Sequence, residues 1–479
     1  MRVAATVLLV NPPQLIENIP DTKGSGILLF SENLRTSVIN AGLLSIASYL
    51  DSFGISVRIL DLSQHNDYDS LGSEIESSLP EIVGVSCPSA LSYLEFLRCL
   101  SVTKEVSPSI VTVGGGQHVG PLGRKVFDDT SHLDILVRSE GELPMHHIVR
   151  CVLQKNGHLC DISGIIAKTS GGGLLETPFP SPVVELGKMP FLKYDLYPRC
   201  WTFTPYVEEG RGCRHKCNFC VTPGMMCRYR GKPPSRFLAE LDLARGIWGD
   251  EPMFAVMTPD YGANPRGALL IADGFEKRKL TWCTEFRADS GLCRKADQLV
   301  TKGLRLLTIG LESANPDILL LMGKTHSPSK YLESVRNLLD KKPDDLTVRL
   351  SMIFYIGETH RTLSDNLKFL CHYAGLYDAL TYTPLVIYPG SELEKDFDRY
   401  SRDLGCSRLH TPFWDQRHAH LCTPSRYFTA DEMINFSGMV ERIFSDRDAW
   451  IASRSCYYQR NDDQSRSLLR NIIDPGQTC

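Results

Sequence analysis

Residues 208–230 read EEGRGCRHKCNFCVTPGMMCRYR. Cys213, Cys217 and Cys220 form a C-x3-C-x2-C triplet, with Phe219 immediately before the last thiol. Three thiolates on one short loop can face a single soft metal centre: zinc, copper(I) or an iron–sulfur cluster. A structural zinc takes four protein ligands, whereas a [4Fe–4S] cluster held by three cysteines leaves one iron open. His215 lies inside the triplet and Cys227 follows only after six residues, so neither completes a zinc knuckle at the usual spacing. On the triplet alone, zinc, free thiols and an open cluster all stand.

Downstream of the triplet, β/α alternation predicts strands at 202–209, 253–258, 281–286, 304–312, 347–356 and 380–388. Helices are expected between them, including 328–342 and 362–375; in the latter Leu363, Leu367, Leu370 and Ala374 share one face. Six such units after a cysteine loop suggest a partial (β/α)6 barrel over 201–394, with its site at the carboxyl ends of the strands.

Upstream, VAATVLLV (3–10) is a continuous apolar run ending in Asn-Pro-Pro, as suits a parallel strand buried on both faces. Further strands are expected at 55–62, 81–87, 110–118 and 133–142, with helices at 42–54 and from about Ser92 to Val106. Strands alternating with helices make residues 1–150 an α/β, doubly wound, Rossmann-like parallel sheet. Ligands of such sheets bind beyond the strand carboxyl ends. Asn11 and Pro12, Ser86 and Pro88, Gly114 to His118, and Glu140 to Glu142 lie there. The Gly114-Gly115-Gly116 turn lets backbone approach a ligand, but it does not match the G-x-G-x-x-G dinucleotide fingerprint. Residues 151–200 read as a hairpin turning at Gly171 to Gly173, then a proline-rich connector. Beyond 394 the β/α rhythm is lost, and a mainly helical extension is expected, with a helix near Asp431 to Ser445 capping the barrel mouth. His418, His420 and Cys422 cluster there as polar residues for a substrate pocket, or less simply as a metal site.

The 479 residues suffice for two or three domains. A net charge of −4 offers no electrostatic reason for a nucleic-acid or anionic-membrane partner, and no apolar run approaches 18 residues. Sixteen cysteines without a recognisable leader are expected in a cytoplasmic protein, where thiols serve metals or cores rather than disulfides.

Two sets of motifs carry a family resemblance. LLVNPP, VRILDL, EIVGVS, VTVGGGQH and VRSEGE resemble the cobalamin-binding domain that precedes many radical S-adenosylmethionine (SAM) enzymes, with Ser139 in place of the first glycine of the usual GEGE. RGCRHKCNFC, MTPDYGAN, FRADSGL, IGLESANPDILLLMGK and PLVIYPGSEL resemble the radical SAM barrel; YIGET matches a G-x-P-G-E-T-like turn without its proline and one glycine. The resemblance implies a [4Fe–4S] cluster on Cys213, Cys217 and Cys220, with SAM chelating the open iron. It implies SAM contacts from Phe219, Asp260, Arg287, Glu312, Ser313 and Tyr388. It places cobalamin over Asn11, Pro12, Ser86, Pro88, Gly114, Gly115, Gly116, Gln117, His118, Glu140 and Glu142. The D-x-H-x-x-G motif that supplies a lower cobalt ligand is absent, and His65 and His118 read as surface or loop histidines, so no histidine is expected below the cobalt.

The implied chemistry is cleavage of SAM to a 5′-deoxyadenosyl radical, followed by methyl delivery from methylcobalamin to carbon. A C-methyltransferase acting on a small molecule or natural-product intermediate is the leading expectation, supplied with electrons by a low-potential donor such as flavodoxin or ferredoxin. Rearrangement, ring contraction or cyclisation without methyl transfer is the alternative within the enzymes. A non-catalytic metal- or cobalamin-binding regulatory protein is the alternative outside them. No catalytic side chain is singled out, and the substrate is not named by any motif.

Overall fold

A computed structural model describes residues 6–13, 38–63, 68–179, 185–226 and 228–444. His65, Cys227, Cys456 and Cys479 lie outside the described residues, as does Ser445, the expected end of the last helix. The thirteen described cysteines are all free. Among the described residues no helix is long and apolar enough to cross a membrane.

The first sheet begins with β1 (Val7–Asn11), β2 (Val57–Asp61), β3 (Ile82–Ser86), β4 (Val111–Gly115) and β5 (Ile135–Val137), all parallel. Its order, β2-β1-β3-β4-β5, is continued by an antiparallel hairpin, β6 (Ile165–Lys168) and β7 (Leu174–Glu176). The glycine turn at 171–173 therefore extends this sheet as an edge rather than standing apart from it.

The unbroken apolar run of β1 has a direct cause. Val7 and Leu9 join one core with the helices Ala41–Ser52 and Glu142–Leu153, while Leu8 and Val10 join another with Tyr68–Ser78 and Tyr93–Val106. Helices cover both faces, so neither strand face can be polar.

The second sheet has six parallel strands in sequential order: β8 (Tyr206–Glu208), then β11 (Phe254–Met257), β12 (Trp282–Phe286), β13 (Leu304–Glu312), β14 (Thr347–Phe354) and β15 (Ala379–Pro384). Between β8 and β11 the cysteine loop is closed by a short antiparallel pair, β9 (Gly210–Arg211) with β10 (Arg230–Gly231). Strands β8 and β15 stay at opposite edges, which makes this a partial barrel. Alternation shows in β14: Val348, Leu350, Met352 and Phe354 are buried, whereas Arg349 and Ser351 are only partly so.

The C-terminal extension is helical but includes β16 (Val386–Ile387) paired antiparallel with β17 (His420–Leu421). Its last helix, Ala430–Phe444, does not cap the mouth. It packs on the outside of β15, where Phe436 meets Phe354 and Tyr382 and the Glu441 carboxylate accepts from the Tyr382 amide at 2.6 Å.

The two sheets are joined by charge. Arg211 of β9 donates to Glu142 at 2.7 Å and Glu208 at 2.7 Å, and Arg230 of β10 pairs with Glu140. Ser45 donates to Glu142 at 2.5 Å and accepts from Arg211 at 3.0 Å. Burial pushes the Glu208 carboxyl up, but Arg211 and Lys232 overrule it and hold it at about 2. Removing one member of a buried ion pair leaves an uncompensated charge. Glu142→Ala is expected to cost about 3 kcal/mol, the low side of the roughly 3–5 kcal/mol for breaking such a pair, because Arg211 keeps Glu208. Urea unfolding of Glu142→Ala, Arg211→Ala and the double variant checks this: the double should lose less than the two singles summed.

Candidate active site

One cavity of about 720 Å³ opens where the carboxyl ends of both sheets meet. From the first sheet it is lined by Ser86, Pro88, Gly114 to Gln117, Glu140 and Glu142; from the second by Cys213, Cys217, Phe219, Cys220, Arg287 and Glu312. These are residues that the sequence assigned to two different cofactors, and the fold brings them to a single space.

Its first-sheet side is glycine-rich for a steric reason. Gly116 has φ +124°, and a Cβ there would meet the Cys87 carbonyl oxygen at 2.4 Å. Only glycine permits that turn. The apolar lining from Leu9, Ile46, Val113, Val137 and Met145, with backbone at Gly114 to Gly116, fits a large flat group bearing a polar tail. No histidine lines the cavity among the described residues.

On the second-sheet side, Met257 is 39 % exposed and Glu285 is exposed, although both sit on inner strands. The barrel is hollow there rather than filled. Glu285 is open to the cavity yet lies deep among protein groups, and this poor hydration pushes its carboxyl up while Lys324 opposes the shift.

The three cysteines lie on a loop tied down at both sides. The Asn218 amide donates to the Met322 carbonyl at 3.0 Å, and the Leu393 amide to the Asn218 carbonyl at 2.8 Å. Cys217 is buried, and Arg287 Nη1 stands 3.4 Å from its sulfur. Burial pushes the Cys217 thiol up, while Lys324 and Arg287 pull it down. Cations beside a thiol favour the thiolate, the ligand form. Three thiols that all line the cavity suit a [4Fe–4S] cluster that leaves one iron open toward it.

Beside the thiols, Lys324 Nζ pairs with Glu312 Oε1 at 2.7 Å, both buried. Glu312 follows a register shift at the end of β13 and has φ +63°, a conformation unfavourable for a residue with a side chain. The bulge turns its carboxylate toward Lys324 and the cavity. An amino-acid ligand with its own ammonium and carboxylate could exchange with this pair.

Other expected contacts lie behind the lining. Asp260 is buried, accepts from the Gly262 amide at 3.1 Å and stands 3.4 Å from His215, so it shapes the loop after β11. Ser313 is buried with its hydroxyl 3.0 Å from Asn366 Oδ1. Tyr388 does not line the cavity. Neither do Asn11 and Pro12; Asn11 donates to Asp61 at 2.9 Å and accepts from Asn40 at 2.8 Å. Asn40 also donates to Ser86 at 3.1 Å and lines the cavity, a role the sequence did not suggest. Arg211, Glu285 and Met257 line it as well without having been assigned to it, and so does Lys324, which closes the IGLESANPDILLLMGK motif.

His118 requires a correction. It lies in the turn after β4, as a loop histidine, but it is buried and does not reach the cavity: its Nε2 donates to the Arg417 carbonyl at 2.6 Å.

Two family models match the chain: the B12 binding domain over residues 29–149 and the radical SAM superfamily over residues 207–370. The chain is a cobalamin-binding radical SAM enzyme. Its cofactors are a [4Fe–4S] cluster, SAM and cobalamin. The enzyme is homologous to methyltransferases. It is 25% identical over 350 residues to an uncharacterized methyltransferase of Pyrococcus horikoshii, covering 70% of this chain and 74% of that protein. It is 28% identical over 216 residues to the anaerobic magnesium-protoporphyrin IX monomethyl ester cyclase of Rubrivivax gelatinosus, covering 42% of this chain and 37% of the cyclase. The solved structure of the cobalamin-dependent SAM radical enzyme OxsB, with aqua-cobalamin and SAM bound, shares the fold at a TM-score of 0.72 and 16% identity, covering 99% of this chain and 71% of that one.

Burial of His118 in this enzyme has a pH consequence. Burial lowers its pKa to about 4, below the ordinary value of 6.5. A histidine depressed in the folded state contributes stability above its unfolded pKa and loses it as pH falls through the folded one. About 3 kcal/mol is expected to disappear between pH 6.5 and 4. Unfolding free energies across that window should fall less steeply for His118→Gln than for the wild type.

Proposed function

We propose that this enzyme is a C-methyltransferase that moves a methyl group to an unactivated carbon of a small molecule or natural-product intermediate. The observation that carries the reading is the single cavity that collects the glycine turn of the first sheet and the cysteine loop of the second. A methyl carrier and a radical generator have to face one substrate, and separate pockets would not serve.

In this reading Cys213, Cys217 and Cys220 hold the cluster, and Arg287 and Lys324 stabilise the thiolate form of Cys217. Phe219, Arg287, Glu312 and Lys324 position SAM, with Glu312 and Lys324 supplying opposite charges for its ammonium and carboxylate. Gly114 to Gln117, Ser86, Pro88 and Asn40 would seat the corrin, and the apolar lining beside Met145 would give it a water-poor wall. Glu140 and Glu142 line the corrin side of the cavity and also pair with Arg230 and Arg211, which fixes the distance between the two cofactor seats. When bound, the cluster supplies the electron that splits SAM and the corrin supplies a methyl carrier. The chain contributes placement and exclusion of water. A low-potential donor such as flavodoxin or ferredoxin would deliver the electrons.

The cyclase relative favours a second reading, radical cyclisation or rearrangement with no methyl retained. Incubating the reconstituted enzyme with methyl-labelled SAM separates the two. Transfer predicts label in product together with deoxyadenosine and S-adenosylhomocysteine. Deoxyadenosine with an unlabelled product would move the assignment to cyclisation. Cys217→Ala should lose most of the roughly four irons per chain and all deoxyadenosine. A protein that takes up zinc in place of iron would make the reading a non-catalytic one.

A further inference from the structure

Beyond the barrel, three ligand-type side chains converge outside the cofactor cavity. His410 Nδ1 lies 3.2 Å from Asp415 Oδ1, and His420 Nδ1 lies 3.3 Å from the same oxygen. One donor atom from each of the three falls within 4.8 Å of the others. For a zinc-type ion bonded to nitrogen and oxygen at about 2.0–2.1 Å, tetrahedral geometry sets neighbouring donors about 3.3 Å apart. Both edges are compatible with that spacing, and the His410–Asp415 edge is also a hydrogen bond while the ion is absent.

Two of the donors are held by regular elements, and His410 lies in the exposed stretch before them. His420 begins β17 and pairs in register with Ile387 of β16. Asp415 closes the helical turn Pro412–Asp415, whose start is capped by Thr411. His420 Nδ1 is buried and has no hydrogen-bond partner among the described residues. Sequence proximity had suggested His418 and Cys422 as companions of His420. Instead His418 faces Asp129 at 2.5 Å, and Cys422 is fully buried.

We propose that His410, Asp415 and His420 form a zinc site, with two imidazoles and one carboxylate as protein ligands and a fourth position open to water. None of the three lines the cofactor cavity, so the site is a brace. It closes the 410–420 loop on itself, and that loop carries the groups that dock on the first sheet. The Arg417 carbonyl accepts from His118 at 2.6 Å, His418 meets Asp129, and Tyr93 packs edge-on against both His118 and His418. A metal tying the two ends of this loop would hold the C-terminal extension against the cobalamin-binding sheet.

The test uses the full-length chain with its iron–sulfur cluster in place. One equivalent of zinc is added, excess is removed by gel filtration, and zinc and iron are counted per chain. The wild type and His418→Ala should retain about one zinc, with a dissociation constant below about 1 μM. His410→Ala/His420→Ala should bind zinc more than about tenfold more weakly, with its iron content unchanged. Unchanged iron excludes displacement at Cys213, Cys217 and Cys220, and an unchanged unfolding midpoint in metal-free buffer excludes loss of fold. Cobalt(II) in place of zinc should give visible ligand-field absorption that the double variant lacks. Equal zinc retention by wild type and double variant, or cobalt spectra that do not differ, would overturn the site. No step of the test depends on turnover, so it stands apart from the proposed methyl transfer.

Discussion

Two sheets have to be held with their strand carboxyl ends facing so that they open into one space, and the guanidinium of Arg211 carries that constraint. It lies between Glu208 of its own barrel and Glu142 of the first sheet, with Ser45 satisfying a further donor. Arginine suits the place because its planar fork can serve several oxygens at once, and because it stays charged when buried. The neighbouring pair of Arg230 and Glu140 repeats the arrangement one strand away. Buried ion pairs add little net stability, but their geometry is specific. What this network contributes is registration of one sheet on the other, which sets the span between the cysteine loop and the glycine turn.

A second attachment lies on the far side. The connector places Tyr197 so that its hydroxyl donates to Asp61 at 2.7 Å and accepts from the Asn40 amide at 3.0 Å. Asn40 in turn caps the first helix and binds Asn11 and Ser86. A change at the connector is thereby felt at the strand ends that line the cavity. The 410–420 loop provides the third attachment, through His118 and Asp129. The cavity is enclosed by three contacts between parts of the chain far apart in sequence.

The cofactor side of the site owes its character to local departures from regular structure. The bulge that ends β13 gives Glu312 its left-handed backbone and turns it toward Lys324. The turn after β4 needs glycine at 116 because the Cys87 carbonyl leaves no room for a Cβ. Met257 and Glu285 remain exposed inside the barrel because the strand ends there are not filled by neighbouring side chains.

Local pattern settled much in advance. The run VAATVLLV announced a strand covered on both sides, and LRLLTIGLE at 304–312 has the same bounds as β13. The cysteine spacing marked the metal loop, since ligand spacing along a short loop survives folding unchanged. Pairing could not be read this way. Asp260, Ser313 and His118 carry the residue types expected of ligand contacts, yet their polar atoms are taken by Gly262, Asn366 and Arg417. Asn40 and Glu285 belong to no quoted motif, and Arg211 opens RGCRHKCNFC without a role of its own, yet all three line the cavity. The alternation that turned Glu285 inward was visible in TWCTEF, but which face of that strand would be hollow depended on the other five. The sequence by itself determined the elements, their order and the thiol triplet, because these follow from periodicity and spacing along the chain. Only the tertiary structure decided which polar groups face the cavity and which are consumed in holding it, because a hydrogen bond is allotted by distance in space.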